Sequence, residues 1–369
     1  MKLIKSSIIL SLLAGISALA VPVNAKAADT DFSFALRDDG SAEVVCINPQ
    51  ITKAEIPSEV NGRPVTALGE NCFQYCTALT EVIIPDSITE FKDYAFFGCS
   101  SLTELEIPAS VTIIGDYVFD TTENMTQFIV DENNPAYQSP DGVLYTKSGD
   151  TLIKYPESRP DSGYAVLDEC RTLKDWCFIG SQNLESIDLK QVQTIGEDAF
   201  YYCVALKSIA IPEGVTDLNG AVFGYCSALE QISLPSTLQS LGERCFYACT
   251  ALQSVRIPDN VQKLGAGTFC NCTNLQSIIV PKGLVTVNAY CMGYSYDEDS
   301  DTYKVQDNCT LYVFRDTPAW KYAVTNHIQY ELLRDENKYL LPGVIAFGIL
   351  DVILLIAVVN ALKKRRQSS

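Results

Sequence analysis

The 369-residue sequence predicts a repeat solenoid with parallel strands along one side, followed by one membrane-spanning helix. Three observations predict it. An Ile/Leu/Val-Pro pair recurs at Pro57, Pro85, Pro108, Pro212, Pro235, Pro258 and Pro281, the last four spaced 23 residues apart. Phe-x-x-Cys keeps the same phase at Phe73/Cys76, Phe96/Cys99, Phe200/Cys203, Phe223/Cys226, Phe246/Cys249 and Phe269/Cys272, while Phe119 and Phe178 pair with Thr122 and Ser181 instead. In-phase units of this length cannot bury their apolar faces alone, so they stack. Finally, a largely apolar stretch near the C-terminus ends in a run of basic residues.

The N-terminus reads as an export signal over residues 1–27. Lys2 and Lys5 give a positive start, an apolar run follows from Ile8 to Val21, and Ala25-Lys26-Ala27 forms an A-x-A cleavage site. The alternative, an uncleaved anchor, is disfavoured by the shortness of that run. At the other end, residues 340–362 would rise about 34 Å as a helix, enough for a hydrocarbon core of about 30 Å. Lys363, Lys364, Arg365 and Arg366 open the basic tail, 363–369. They place that end in the cytoplasm and the N-terminal domain outside, in a single pass of the cell membrane.

Each repeat unit follows from its side chains. In Leu252–Pro258, Leu252, Val255 and Ile257 are apolar while Ser254 and Arg256 alternate outward, the pattern of a half-buried strand. Pro258 lacks the N–H of a ladder residue and ends the strand. Val261 and Leu264 follow, then the Gly265-Ala266-Gly267 turn. Phe269 fills the core beneath a short helical or 3-10 turn.

The chain has 14 cysteines. Export and this number suggest disulfides. However, six of them share one repeat position that also accepts Thr122 or Ser181, which calls for a small buried side chain. Cys72, Cys177 and Cys245 alternate with alanine and valine just before the Phe, again a packing position. Free buried thiols are the first expectation, isolated disulfides the second; a metal site would need cysteine pairs meeting in tetrahedral geometry.

Composition excludes several functions. Residues 28–338 hold 20 basic and 44 acidic residues, a net charge of about −24, which leaves no basic footprint for nucleic acid. The chain has one histidine, His327, placed in a terminal helix and assigned a structural role. Sequence signatures of serine hydrolases, zinc proteases and phosphate loops are missing, so no enzyme activity, cofactor or metal is expected. Asp297, Asp299 and Asp301 make a D-x-D-x-D cluster, but Thr302 and Asn308 stand where a calcium loop needs Gly and Glu. An acidic surface loop is the expectation.

The run Ile107-Pro108-Ala109-Ser110-Val111-Thr112-Ile113-Ile114-Gly115, with Phe119 and its equivalents, resembles the BspA-type leucine-rich repeats of bacterial surface proteins. The resemblance covers about 32–333. It implies an N-terminal hairpin cap over 28–55, a solenoid over 56–309 with a hairpin insertion near 133–156, and a C-terminal cap over 310–338. A membrane helix in place of a wall-sorting motif points to a membrane-bound protein.

The resemblance implies a non-enzymatic cell-surface scaffold that binds a protein ligand, in adhesion or host/bacterial surface interaction. Two surfaces are candidates. Outward strand positions form one column of Glu81, Glu104, Gln127, Ser186, Ser208, Gln231, Ser254 and Ser277, and another of Ile83, Glu106, Ile129, Asp188, Ala210, Ser233, Arg256 and Ile279. The second surface follows each Phe: Tyr75, Phe97, Tyr201, Tyr202, Tyr225 and Tyr247. These rings either anchor a partner or lie over the turns as part of the core. The alternative function is an ectodomain-bearing subunit of a membrane signalling or transport complex. Asp351, near the middle of the apolar run, favours it, since intramembrane carboxylates usually meet a partner.

Overall fold

The computed structural model describes residues 31–334. The segments read as an export signal and a membrane helix, with Asp351 and the basic tail, lie outside the described residues. Among the described residues, no helix is long and apolar enough to cross a membrane. The chain divides into two units: residues up to Asp120 together with Asp131–Pro135, and Thr121–Val130 together with residues from Ala136 onward.

The first unit starts with an antiparallel hairpin, Phe32–Leu36 against Ala42–Cys46. Ala42–Cys46 then pairs in parallel with Arg63–Leu68, and the ladder continues through Glu90–Phe91 to Ile113–Ile114. A separate parallel pair joins Lys53–Glu55 to Glu81–Ile83.

The second unit repeats the plan over more coils. An antiparallel meander of Tyr137–Gln138, Leu144–Thr146 and Thr151–Lys154 passes into parallel pairing with Thr172–Leu173 and Thr194–Ile195. The same strand position recurs at Asp217–Leu218, Ser240–Leu241, Lys263–Leu264 and Thr286–Val287. The other ladder runs through Gly163–Ala165, Ser186–Asp188, Ser208–Ala210 and Gln231–Ser233. It recurs in Ser254–Arg256, Ser277–Ile279, Thr310–Phe314 and Tyr330–Leu333.

Each coil therefore carries two short parallel strands, where the sequence predicts one. Past Arg63–Leu68 and Thr151–Lys154 the second is only two residues long, too short to show alternation. The turn holding the core Phe has the tight i→i−3 bonds of the expected turn, such as Cys249 N–H to Phe246 O at 3.2 Å, but does not form a regular helix. Its backbone bonds to the next coil: Phe73 N–H donates to Ala95 O at 2.7 Å, and Phe246 N–H to Thr268 O at 2.8 Å. These bonds form a third ladder, and they are possible because residues on either side of the Phe turn left-handed. Around Phe246 these are Arg244 (φ 54°) and Ala248 (φ 58°).

The core is a stack of rings. In the first unit Phe73, Phe96 and Phe119 lie nearly parallel, with centroids 5.3 and 6.2 Å apart. In the second unit Tyr155, Phe178, Phe200, Phe223, Phe246 and Phe269 form a stack of their own, spaced 4.9–5.4 Å apart. All of these rings are buried. Such offset ring pairs add about 0.5–1.5 kcal/mol each beyond the area they bury.

One α-helix, Pro318–Thr325, packs on the last coils, with Thr317 Oγ1 accepting from Trp320 N–H as its N-cap. His327 lies past this helix rather than in it. Asn326 caps the C-terminus, its side chain donating to Tyr322 O at 2.8 Å, and His327 is exposed with φ 55°.

Candidate protein-binding surfaces

The strand-face columns are built by register. Ser186, Ser208 and Gln231 stand side by side, as do Ser254, Ser277 and Thr310. Glu81, Glu104, Glu106, Gln127 and Gln231 are exposed; Asp188 and Arg256 are half-buried. Several of these groups already hold partners. Glu81 pairs with Lys53 at 2.6 Å, Asp188 accepts from Lys190 N–H at 3.1 Å, and Arg256 reaches Asp259 at 3.8 Å. Two expected members leave the surface: Ser277 and Ile279 are only 8% and 7% exposed. Ile279 sits in register between Arg256 and Tyr312, two large neighbours that flank it.

The turn faces carry the rings. In the first unit Tyr75 is 47% exposed and meets the edge of half-buried Phe97 at 5.5 Å. In the second unit Tyr202 and Tyr225 stack at 4.5 Å with planes 7° apart, and Tyr201 packs edge-on against both. All three are half-buried. Burial raises their phenol pKa values, that of Tyr202 to about 12, so each keeps its proton at neutral pH.

Tyr247 is the candidate ring that belongs to the core. It is buried, at 9% exposure, because neighbours close over it. Tyr225 meets its ring at 5.3 Å, the Arg244 guanidinium lies over it at 5.7 Å, and Asn271 donates to its hydroxyl at 2.9 Å. Asn271 in turn holds the hairpin Tyr294–Asp297/Thr302–Val305 by accepting from Tyr296 N–H at 2.6 Å.

That hairpin accounts for the acidic cluster. Asp297 binds Lys304 across the strands and accepts from Asp299 N–H at 3.1 Å. The Lys304 contact holds the Asp297 carboxyl down at about 2. Asp301 accepts from the Tyr296 hydroxyl at 2.6 Å. Among the described residues, no group of three or more His, Cys, Asp or Glu is placed to hold a metal ion.

Three further rings, Tyr94, Tyr117 and Trp176, also belong to the turn faces. Each stands two residues before a core Phe, in left-handed backbone at φ 59°, 57° and 60°. Their shared position relative to Phe96, Phe119 and Phe178 was the signal available in the sequence.

The fourteen cysteines are all free, and all but Cys46 are buried. The repeat-position thiols donate to backbone carbonyls: Cys226 Sγ to Phe200 O and Cys249 Sγ to Phe223 O, both at 3.1 Å. Burial pushes the Cys99, Cys270, Cys291 and Cys309 thiols up to about 12, which keeps them protonated and unreactive.

The chain resembles known proteins in sequence and in fold. The model of the BspA type leucine rich repeat region matches six copies over residues 46–141 and 171–298. No curated protein matches the chain. Among solved structures, the pneumococcal vaccine antigen PcpA superposes with a TM-score of 0.56 at 20% identity, covering 77% of this chain and 68% of that one. A leucine rich cell surface protein from Faecalibacterium prausnitzii A2-165 superposes with a TM-score of 0.51 at 22% identity, covering 71% of this chain and 94% of that one. At these identities the two structures speak for the fold. The family model spans more than half of the sequence, and the chain belongs to the BspA-type leucine-rich-repeat family.

Proposed function

We propose that this protein is a non-enzymatic, protein-binding scaffold on the bacterial cell surface, acting in adhesion. In this reading residues 1–27 direct export, 340–362 anchor the chain in the membrane, and the repeats present the binding face. One observation carries it. Tyr75, Tyr202 and Tyr225 occupy left-handed backbone at φ 58–61°, a repeat position that other coils fill with Gly98, Gly180, Thr121, Ala248 and Asn271, so the turn itself does not call for a ring. Three of these positions carry large, partly exposed rings where a small residue serves the turn equally well, and such rings offer a partner apolar contact area. Partly exposed aromatic rings are also the residues that most often anchor protein interfaces. Membership of a repeat family known for surface proteins, and two structural relatives described as a vaccine antigen and a cell surface protein, agree with it.

The experiment is affinity capture with the purified 28–338 segment, followed by the same capture with glycine at Tyr75, Tyr202 and Tyr225. Loss of a protein captured by the wild type supports the reading. Capture that survives these changes but is lost on altering Glu104, Glu106 and Arg256 moves the site to the strand face. A second reading, a membrane-complex subunit, is favoured by Asp351 in its apolar run. Its check is Asp351→Leu, with loss of a higher-mass species on native gels.

A further inference from the structure

The turn face of the first unit carries four rings in contact. Tyr75 meets Phe97 edge-on at 5.5 Å, Phe97 meets Tyr94 at 5.6 Å, and Tyr94 stacks on Tyr117 at 5.1 Å with planes 13° apart. Tyr75 and Tyr117 are 47% and 38% exposed. Tyr75, Tyr94 and Tyr117 are all held in left-handed backbone, at φ 57–59°.

Carboxylates alternate with these rings. Asp93 and Asp116 immediately precede Tyr94 and Tyr117, and both are exposed. The coil-to-coil bond from Tyr94 N–H to Asp116 O at 3.1 Å brings the two coils into register, and Asp93 Oδ1 accepts from Asp116 N–H at 2.8 Å. Burial and then the charges of Asp93, Asp120, Asp116 and Glu70 raise the Tyr94 phenol, so four carboxylates act on one ring. Lys92, which precedes Asp93 in the chain, is turned to another partner, Glu43.

This combination selects a partner. A neutral apolar segment laid over the strip would strip water from the carboxylates without compensating them. An acidic segment would be repelled. Lysine and arginine side chains do both jobs at once, placing their cations over the negative ring faces and their charge beside the carboxylates. We propose that the strip Tyr75–Phe97–Tyr94–Tyr117 docks a lysine- and arginine-rich segment of the protein partner. The inference rests on the protein-binding reading above and adds to it the chemistry of the ligand.

The test uses the full-length chain in a non-ionic detergent and a labelled, short Lys/Arg-rich peptide, with an Asp/Glu-rich peptide as control, read by fluorescence anisotropy. Two double variants separate the contributions. Tyr94→Gly with Tyr117→Gly removes rings at positions where glycine fits the backbone without strain. Asp93→Asn with Asp116→Asn removes charge but keeps a side-chain oxygen. Thermal melts confirm that both variants fold.

The wild type is expected to bind the basic peptide and not the acidic one. The ring variant should weaken binding by about tenfold, the combined effect of two cation–ring contacts. The carboxamide variant should weaken it and flatten its salt dependence. Unchanged affinity in the ring variant means that the peptide follows net charge alone, and overturns the proposal. Absence of peptide binding, with capture of a protein ligand by 28–338 intact, also overturns it while leaving the protein-binding reading in place. Failure of the capture experiment as well removes both.

Discussion

Ser181 Oγ and Cys203 Sγ donate to the same acceptor, the carbonyl oxygen of Phe178, at 2.8 and 3.1 Å. Ser181 reaches it from within its own coil and Cys203 from the next one. The pair explains why one repeat position takes both residue types: the site selects a small, buried donor aimed at a phenylalanine carbonyl. Cys99, Cys226, Cys249 and Cys272 repeat the cross-coil bond at 3.0–3.1 Å.

Cys226→Ser is therefore expected to cost less than about 1 kcal/mol, since a hydroxyl can serve the same carbonyls. Cys226→Leu adds volume to a site with no exposed surface and should cost about 1–3 kcal/mol. Chemical denaturation of both variants checks this. A serine variant as unstable as the leucine variant would point to a covalent role for the sulfur.

Gly265 makes a sharper demand. A Cβ there would lie 2.3 Å from Glu243 N and 2.4 Å from Gly242 C, both backbone atoms of the preceding coil. Neither can move without breaking the ladder bond from Gly265 N–H to Leu241 O. Gly265→Ala should lower stability by about 2 kcal/mol or more, in the range of overpacked cores. Gly283→Ala is the control, because its nearest atom is 3.4 Å away, and should change the melting temperature little.

The legibility of the fold divides along physical lines. The outer strand and the ring stack were readable because alternation and a large apolar residue recur at fixed positions, as in Leu252–Pro258 and Phe269. The second strand was not, because Lys263–Leu264 is too short to show a period. The left-handed turns were hidden for another reason. Tyr75, Tyr94 and Arg244 are not residues that signal positive φ, and only the coil-to-coil bonds reveal why they adopt it. Of the candidate rings, Tyr247 falls to the core side of the two readings left open, and the sequence could not decide it because its cover comes from Asn271 and a hairpin tens of residues away.

Asp198 gives a pH prediction. It lies half-buried beside Glu197 and Asp175, and burial, then those charges, raise its carboxyl to about 6. The folded state thus holds the proton more tightly than the unfolded chain. Below the unfolded value of 3.8 both states are protonated and there is no penalty. As pH rises from about 4 to 6 the unfolded state ionises first and stability falls, then levels off. Asp198→Asn should stabilise the protein at pH 7 by about 1 kcal/mol, allowing for solvent screening of a partly exposed group. Melts near pH 3.5 should show no difference; a gain of equal size there would exclude titration as its cause.

Tyr225 separates folding from function. Its backbone is left-handed at φ 60°, and its ring stacks on Tyr202 at 4.5 Å. Tyr225→Ala loses the ring contact and keeps the strain of a Cβ in that conformation. Tyr225→Gly loses the same contact but releases the strain, which for L-residues is about 1–2 kcal/mol. Part of that release is offset by the greater freedom of glycine in the unfolded chain, about 0.4–1 kcal/mol. The glycine variant should therefore be more stable than the alanine variant by about 1 kcal/mol, and both should fall below wild type, because the ring meets Tyr201, Tyr202 and Tyr247 at about 0.5–1.5 kcal/mol per contact. Urea denaturation of the three proteins measures it. Equal stabilities for alanine and glycine would mean that residue 225 is not held left-handed. A glycine variant that stays folded in melts but no longer captures the ligand would show that the ring serves the partner as well as the fold.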